Sequence, residues 1–214
     1  MGEEPNRHSS GHGFMLDLPP CPSDEKDELP VVVASARALW AQRLRRADLA
    51  AVRIISRSAR PKVGRASAIV ISKLGNSWLY LIIISIVFEG LGRTGFRVVF
   101  VGALNAGLLH CLFPYIKRWV GRPRPFRVDP RLPSLLAVLD EHSFPSGHAM
   151  TLSGVLVPIV LVWPATAISA VTLMMLMAWS RIATGHHYPS DIVGGAVLGI
   201  VLAYPLSICV LAIW

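Results

Sequence analysis

The stretch EHSFPSGHAM, Glu141–Met150, runs almost at once into a long apolar segment. A Pro-Ser-Gly-His turn therefore opens a helix that reads as membrane-buried, with the titratable His148 at its mouth. A histidine at that depth is costly unless it is paired or faces a polar cavity. The fold has to supply such a cavity, so the question becomes which other polar residues gather at the same level.

Composition agrees with a membrane setting. Of 214 residues, 53% are hydrophobic and 16% charged, too apolar for an ordinary soluble domain. The expected class is an all-α integral membrane bundle. A formal charge of +8 raises nucleic acid as a partner, yet no soluble nucleic-acid module carries these basic residues. Membrane topology and an anionic substrate account for them better. Cys21, Cys111 and Cys209 have neither metal-ligand spacing nor an even-numbered disulfide framework. The last two fall in apolar runs and are expected as small buried hydrophobes. The first residues are polar and acidic, so no secretory signal peptide is expected.

Residues 1–30 are rich in Gly, Ser, Pro and acids and read as a disordered polar tail, with His8 and His12 solvated. Residues 31–65 carry nine Lys or Arg among Ala, Leu, Val and Ile. That segment reads as a basic amphipathic helix at an anionic membrane surface rather than a span. Residues 66–214 form the transmembrane domain. Its apolar segments are roughly Trp78–Leu91, Phe96–Tyr115, Ala149–Trp163, Ala165–Ala183 and Ile192–Trp214. The first is short and can extend back through ASAIVISKLGN as a broken or re-entrant start, which leaves five or six spans. Pro164 makes the third and fourth a tight hairpin, and Pro158 and Pro205 are expected to kink their helices. Trp78, Trp119, Trp163, Trp179 and Trp214 fall at or near span ends, as an interfacial belt requires.

With alternating crossings, KRWVGRPRP, FPSGH and SRIATGHHYPSD all meet at one membrane face. The basic 31–65 segment precedes the first span and shares that face, whereas the opposite loops offer only Arg93 and Arg97. The positive-inside rule then directs the polar face to the cytoplasm.

Each cluster has a plain reading and a chemical one. Lys117, Arg118, Arg122, Arg124 and Arg127 suit a positive-inside loop. Pro123 and Pro125 stiffen that loop, however, and hold Arg122 and Arg124 as forks able to bind phosphate oxygens bidentately. Ser146 can be a simple N-cap and Gly147 a turn residue. The same free amides at a helix start also make an anion site, with His148 beside the anion. Asp191 can favour a helix N-terminus and Ser190 can cap it. An Asp near His187 also fixes an imidazole tautomer and makes the ring nucleophilic. His186 reads as a loop residue, and His110 as a satisfied bundle histidine.

Together these motifs resemble the type 2 phosphatidic acid phosphatase superfamily, which unites lipid phosphate phosphatases, bacterial acid phosphatases and vanadium haloperoxidases. Its pattern K-x6-R-P, P-S-G-H and S-R-x5-H-x3-D is filled in order by Lys117, Arg124 and Pro125, by Pro145 to His148, and by Ser180, Arg181, His187 and Asp191. The resemblance covers about residues 66–214. It implies that His187 is the nucleophile and forms a phosphohistidine, that Asp191 orients its ring, and that His148 serves as acid and then base. Lys117, Arg124, Arg181, Ser146 and the Gly147 amide would hold the phosphate. No metal and no cofactor are expected, since fixed cations and amides can stabilise the spread transition-state charge. The expected substrate is a lipid phosphate or diphosphate, phosphatidate-like or isoprenoid. A vanadate-dependent haloperoxidase and a non-catalytic lipid-phosphate-binding protein are the alternatives.

Overall fold

The computed structural model describes residues 36–137 and 140–213. The 1–30 tail and Trp214 lie outside the described residues. The described chain is all-helical: α1 (Ala36–Ser56), α2 (Lys62–Leu74), α3 (Trp78–Leu91), α4 (Arg93–Val120), the short α5 (Pro125–Val128), α6 (Gly147–Val162), α7 (Ala167–Ala183) and α8 (Pro189–Ile213). Arg57–Ala59 and Pro164–Thr166 are single 3-10 turns.

Hydropathy and length decide how these helices meet a bilayer. Among the described residues, α4, Pro164–Ala183 and α8 are long and apolar enough to cross. Helices α2 and α3 pass the same test only together, bent by 65° at the break. That break falls at Gly75–Asn76–Ser77, so the first apolar segment does extend back through α2 as a broken or re-entrant element. Helix α6 has 16 residues, about 24 Å at 1.5 Å per residue, shorter than the ~30 Å hydrocarbon layer.

The lipid-facing and inward faces of α4 separate cleanly. Phe96, Phe100, Leu104 and Leu108 are exposed at four-residue spacing, while Val98, Val101, Asn105 and Leu109 are fully buried. In a bilayer the exposed stripe meets acyl chains rather than water. Cohesion between helices then rests on close packing and polar bonds. Asn105 Nδ2 donates to the Gly154 carbonyl at 3.0 Å and to Ser207 Oγ at 2.9 Å, joining α4, α6 and α8. Gly195 and Gly199 let α8 lie directly on α6. A Cβ at Gly195 would stand 2.7 Å from the Ser146 carbonyl oxygen, and one at Gly199 2.3 Å from that of Met150. This contact sets the start of α8 against the start of α6, where the polar residues gather.

Two expectations need correction. Cys111 and Cys209 are exposed on the bundle's outer surface rather than buried. His110 is also exposed, one residue before Cys111, and meets the Phe113 ring edge-on at 5.0 Å between centroids. Apolar runs on a lipid-exposed helix face look the same in sequence as buried ones.

Candidate active site

Helix α7 ends at Ala183, and the chain reverses through Gly185, whose φ is +77°. A side chain there would be strained, and its Cβ would lie 2.3 Å from the Pro133 carbonyl oxygen. The reversal brings the amides of His186 and His187 back onto the Arg181 carbonyl, at 3.2 and 3.3 Å. His187 is thereby held with 1% of its surface exposed. Its Nδ1 lies 2.8 Å from the Ser143 carbonyl oxygen and 3.6 Å from Asp191 Oδ2. A carbonyl can only accept, so Nδ1 carries the proton and Nε2 keeps its lone pair. Burial first, then the charges of Arg181, Arg124, Lys117 and His186, push the His187 pKa well below its ordinary value. The ring is therefore neutral at pH 7.

Asp191 does more than accompany the ring. It stands at the third position of α8, and Oδ2 accepts the Tyr188 amide at 2.9 Å, reaching back across the helix start. Its Oδ1 pairs with Arg122 Nη1 at 2.7 Å. Arg122 also bonds Ser190 Oγ at 2.7 Å and Asp48 Oδ2 at 2.8 Å, and it stacks over the Tyr188 ring at 3.9 Å. Ser190 Oγ donates to Asp48, so that hydroxyl serves α1 rather than capping α8. Of the two arginines that alternate with Pro123 and Pro125, Arg122 is thus committed to two carboxylates. The expectation that it binds phosphate as a free fork is corrected. Asp48 also anchors α1 on the same face as the polar clusters.

Arg124 and Lys117 converge elsewhere. Arg124 Nη1 donates to the His186 carbonyl at 3.0 Å, and Nη2 reaches Asp140 Oδ1 at 2.8 Å. Lys117 Nζ meets Asp140 Oδ2 at 2.9 Å. One carboxylate therefore spans two cations with its two oxygens, much as two oxygens of a phosphate would. Burial pushes the Asp140 pKa up, but the Lys117 hydrogen bond and the Lys117 and Arg124 charges outweigh it and hold the carboxyl below its usual range. Arg181 is 8% exposed and donates from Nη1 to Ser72 Oγ at 2.6 Å, while its buried Nε has no partner.

At the third corner, Ser146 is fully buried and caps α6 through its side chain, accepting the Ala149 amide at 3.5 Å. Its own amide donates to the Asp191 carbonyl at 3.1 Å, which ties the PSGH turn to α8. Gly147 is the first residue of α6, and a Cβ there would meet only the Phe113 ring at 3.5 Å. His148 Nε2 lies 2.7 Å from Asn76 Oδ1, in the break between α2 and α3. Four residues beyond Asn76, Tyr80 opens a groove of about 280 Å³ between α3, α4 and α6, floored by Gly102, Ala103 and Ala106.

All three motif clusters thus come together around His187. The residues that sequence reasoning missed are Asp48, Ser72, Asn76 and Asp140. Among the described residues, no three His, Cys, Asp or Glu side chains gather as a metal site.

Known proteins resemble the chain along the same segment. Over 108 residues it is 32% identical to a lipid A 1-phosphatase of Rhizobium johnstonii, covering 49% of this chain and 41% of that protein. Over 136 residues it is 34% identical to the decaprenylphosphoryl-5-phosphoribose phosphatase of Mycobacterium tuberculosis, covering 57% and 65%. It therefore spans less than two thirds of the length of either relative. A crystal structure of a transmembrane PAP2 type phosphatidylglycerolphosphate phosphatase from Bacillus subtilis superposes with a TM-score of 0.59 at 27% identity, covering 83% of this chain and 91% of that one. The sequence profile described as PAP2 superfamily matches residues 94–214, which hold every motif position around His187, and the chain belongs to that superfamily.

Proposed function

We propose that this protein is a membrane phosphatase that hydrolyses a lipid-linked phosphate or diphosphate through a phosphohistidine at His187. One observation carries the reading: a buried, neutral imidazole has its Nδ1–H held by the Ser143 carbonyl at 2.8 Å, beside Arg181, Arg124 and Lys117. Family membership and the phosphatases among its relatives support the reaction class. The Nε2 lone pair attacks phosphorus, and the bond to the lipid oxygen breaks as His148 gives that oxygen a proton. Water then attacks the phosphohistidine and passes its proton to His148. The P–N bond breaks, releasing inorganic phosphate and restoring both rings. Arg124, Arg181, Lys117, Ser146 and the Gly147 amide would hold the equatorial oxygens, so the step is drawn without metal.

The groove beginning at Tyr80 suits an acyl or prenyl chain lying beside the reacting headgroup. A lipid substrate fits this arrangement better than a soluble ester or the halide of a vanadate enzyme. The nine cations of residues 31–65 favour a cytoplasmic site, with that segment lying at the membrane surface.

Phosphate release by purified protein in EDTA tests the proposal on a lipid monophosphate and a polyprenyl diphosphate, beside His187→Ala. Release that survives EDTA and vanishes in the variant is expected. Equal release by His187→Ala would remove the phosphohistidine route.

A further inference from the structure

Outside the site, five arginines converge on a second concavity. Arg53 near the end of α1, Arg57 in the following turn, Arg60 and Arg65 around the start of α2, and Arg131 beyond α5 line an open pocket of about 370 Å³. Asp129 is the carboxylate in its wall, and both its oxygens are engaged. Arg53 Nε donates to Oδ2 at 2.7 Å and the Arg131 amide to Oδ1 at 3.0 Å. Among the described residues, no carboxylate lies within ion-pair distance of the Arg57, Arg60 and Arg65 guanidinium groups, and the Arg131 charge acts on the same Asp129 that Arg53 engages. Five arginines against one aspartate leave four positive charges in excess.

Charge topology explains cations on this face, but not their convergence on a built hollow. The corner between α1 and α2 is tight, since a Cβ at Gly64 would lie 2.0 Å from the Ser58 carbonyl oxygen. Ser58 is also tied to α7 by Trp179 Nε1 at 2.9 Å. The opposite wall is fixed to α1 by the Arg53–Asp129 pair. Ala59 and Leu132, both buried, give an apolar floor. Cations standing on three anchored elements are partly pre-organised for an anion.

We propose that this pocket is a second phosphate site, separate from the one around His187, and that it takes the phosphate of an anionic phospholipid headgroup. Exposed apolar side chains on the same two helices argue for a lipid rather than a soluble anion. Leu44 and Ile54 on α1 are exposed, and Val63 at the start of α2 is 79% exposed. Basic and apolar residues together at a helix corner suit the headgroup boundary of a bilayer. The volume also lies within the ~300–1,000 Å³ range of small-molecule sites rather than that of a bare ion.

Residue-resolved labelling of the intact protein with phenylglyoxal tests the assignment in nanodiscs of phosphatidylcholine, with and without phosphatidylglycerol. Modification of Arg57, Arg60 and Arg131 should slow about tenfold when phosphatidylglycerol is present, as loss of access to charge-assisted phosphate contacts would produce. Arg45, on the surface of α1 away from the pocket, should change much less. Equal slowing at Arg45 and Arg57 would reduce the effect to general surface charge and overturn the site. A third arm adds inorganic phosphate to phosphatidylcholine discs. Full protection there would assign the pocket to a soluble anion and overturn the lipid. In Arg57→Gln/Arg60→Gln/Arg131→Gln, retained phosphatidylglycerol measured by native mass spectrometry should fall while phosphate release on the substrate stays unchanged. Undiminished retention would also sink the proposal.

Discussion

The Nδ1 nitrogen of His187 stands 2.8 Å from the carbonyl oxygen of Ser143, a backbone acceptor that no side-chain substitution removes. Asp191 Oδ2 lies farther away, at 3.6 Å, and is already held by the Tyr188 amide. Asp191→Asn should therefore lower phosphate release by about 10–100-fold, the range for loss of a positioning partner. It should not reach the ~10⁴-fold seen where a carboxylate alone fixes the tautomer. Steady-state release and melting temperature, measured together, decide the matter. A 10⁴-fold loss at unchanged melting temperature would return tautomer control to Asp191.

Arg122 links α1, the loop before α5 and α8 through Asp48, Asp191 and Ser190. A lysine cannot span both carboxylates from one ammonium, nor stack its charge flat over Tyr188. Arg122→Lys should destabilise the fold by about 3 kcal/mol, the lower end for breaking a buried pair. A double-mutant cycle with Asp48→Asn should show strong coupling. If instead KM rises while stability holds, Arg122 binds substrate.

The contrast with Arg124 marks where sequence stops being informative. The two arginines alternate with Pro123 and Pro125 and carry the same local signal, yet one closes a structural network and the other faces the site. The helices, the break near Asn76 and the convergence of three motifs were legible from hydropathy and turn residues. Asp48, Ser72 and Asn76 were not, because they meet Ser190, Arg181 and His148 across 142, 109 and 72 residues. A lone polar residue in a helix has no periodicity that names its distant partner. Gly195 and Gly199 were equally silent, since only the packed pair reveals which backbone they admit.

Arg181 offers the buried Nε without a partner, a donor still available to an anion. Arg181→Ala and Arg124→Ala should each lower turnover by about 10²–10³, as loss of an oxyanion-type donor does. Near-wild-type turnover in either variant, with folding confirmed by melting, would take that residue out of the phosphate pocket.

Asp140 occupies Lys117 and Arg124 with its own oxygens, so a bound phosphate competes with it. Asp140→Asn keeps the shape and removes the competing charge. Inhibition by inorganic phosphate or vanadate should tighten by roughly an order of magnitude, the effect of about 1.4 kcal/mol. Unchanged inhibition would mean that the carboxylate moves aside at no cost, or that the two cations lie outside the phosphate pocket.

Acid should weaken the fold before it silences His187, the proposed nucleophile. Burial, then the charges of Arg181 and Arg124, lower the His186 pKa to about 3, and burial with the charges of Arg181, Arg124 and Lys117 puts the His187 pKa well below its ordinary value. Both rings stay neutral when folded and take up protons only after unfolding, once the pH falls below about 6.5. The unfolded state then binds more protons, so stability rises with pH in this window. It is fully present above about pH 6.5 and declines below it by roughly 1.4 kcal/mol per pH unit for each histidine. The share of His186 levels off near its folded value of about 3. Asp140, held below the usual carboxylate range, adds its loss only under stronger acid, as the pH falls through its folded value. Melting temperatures taken between pH 8 and pH 5 should therefore fall on the acid side, with a shallower slope in His186→Gln. A midpoint that rises between pH 7 and pH 5 would mean that the folded site binds protons, and His187 would not be the neutral nucleophile drawn here.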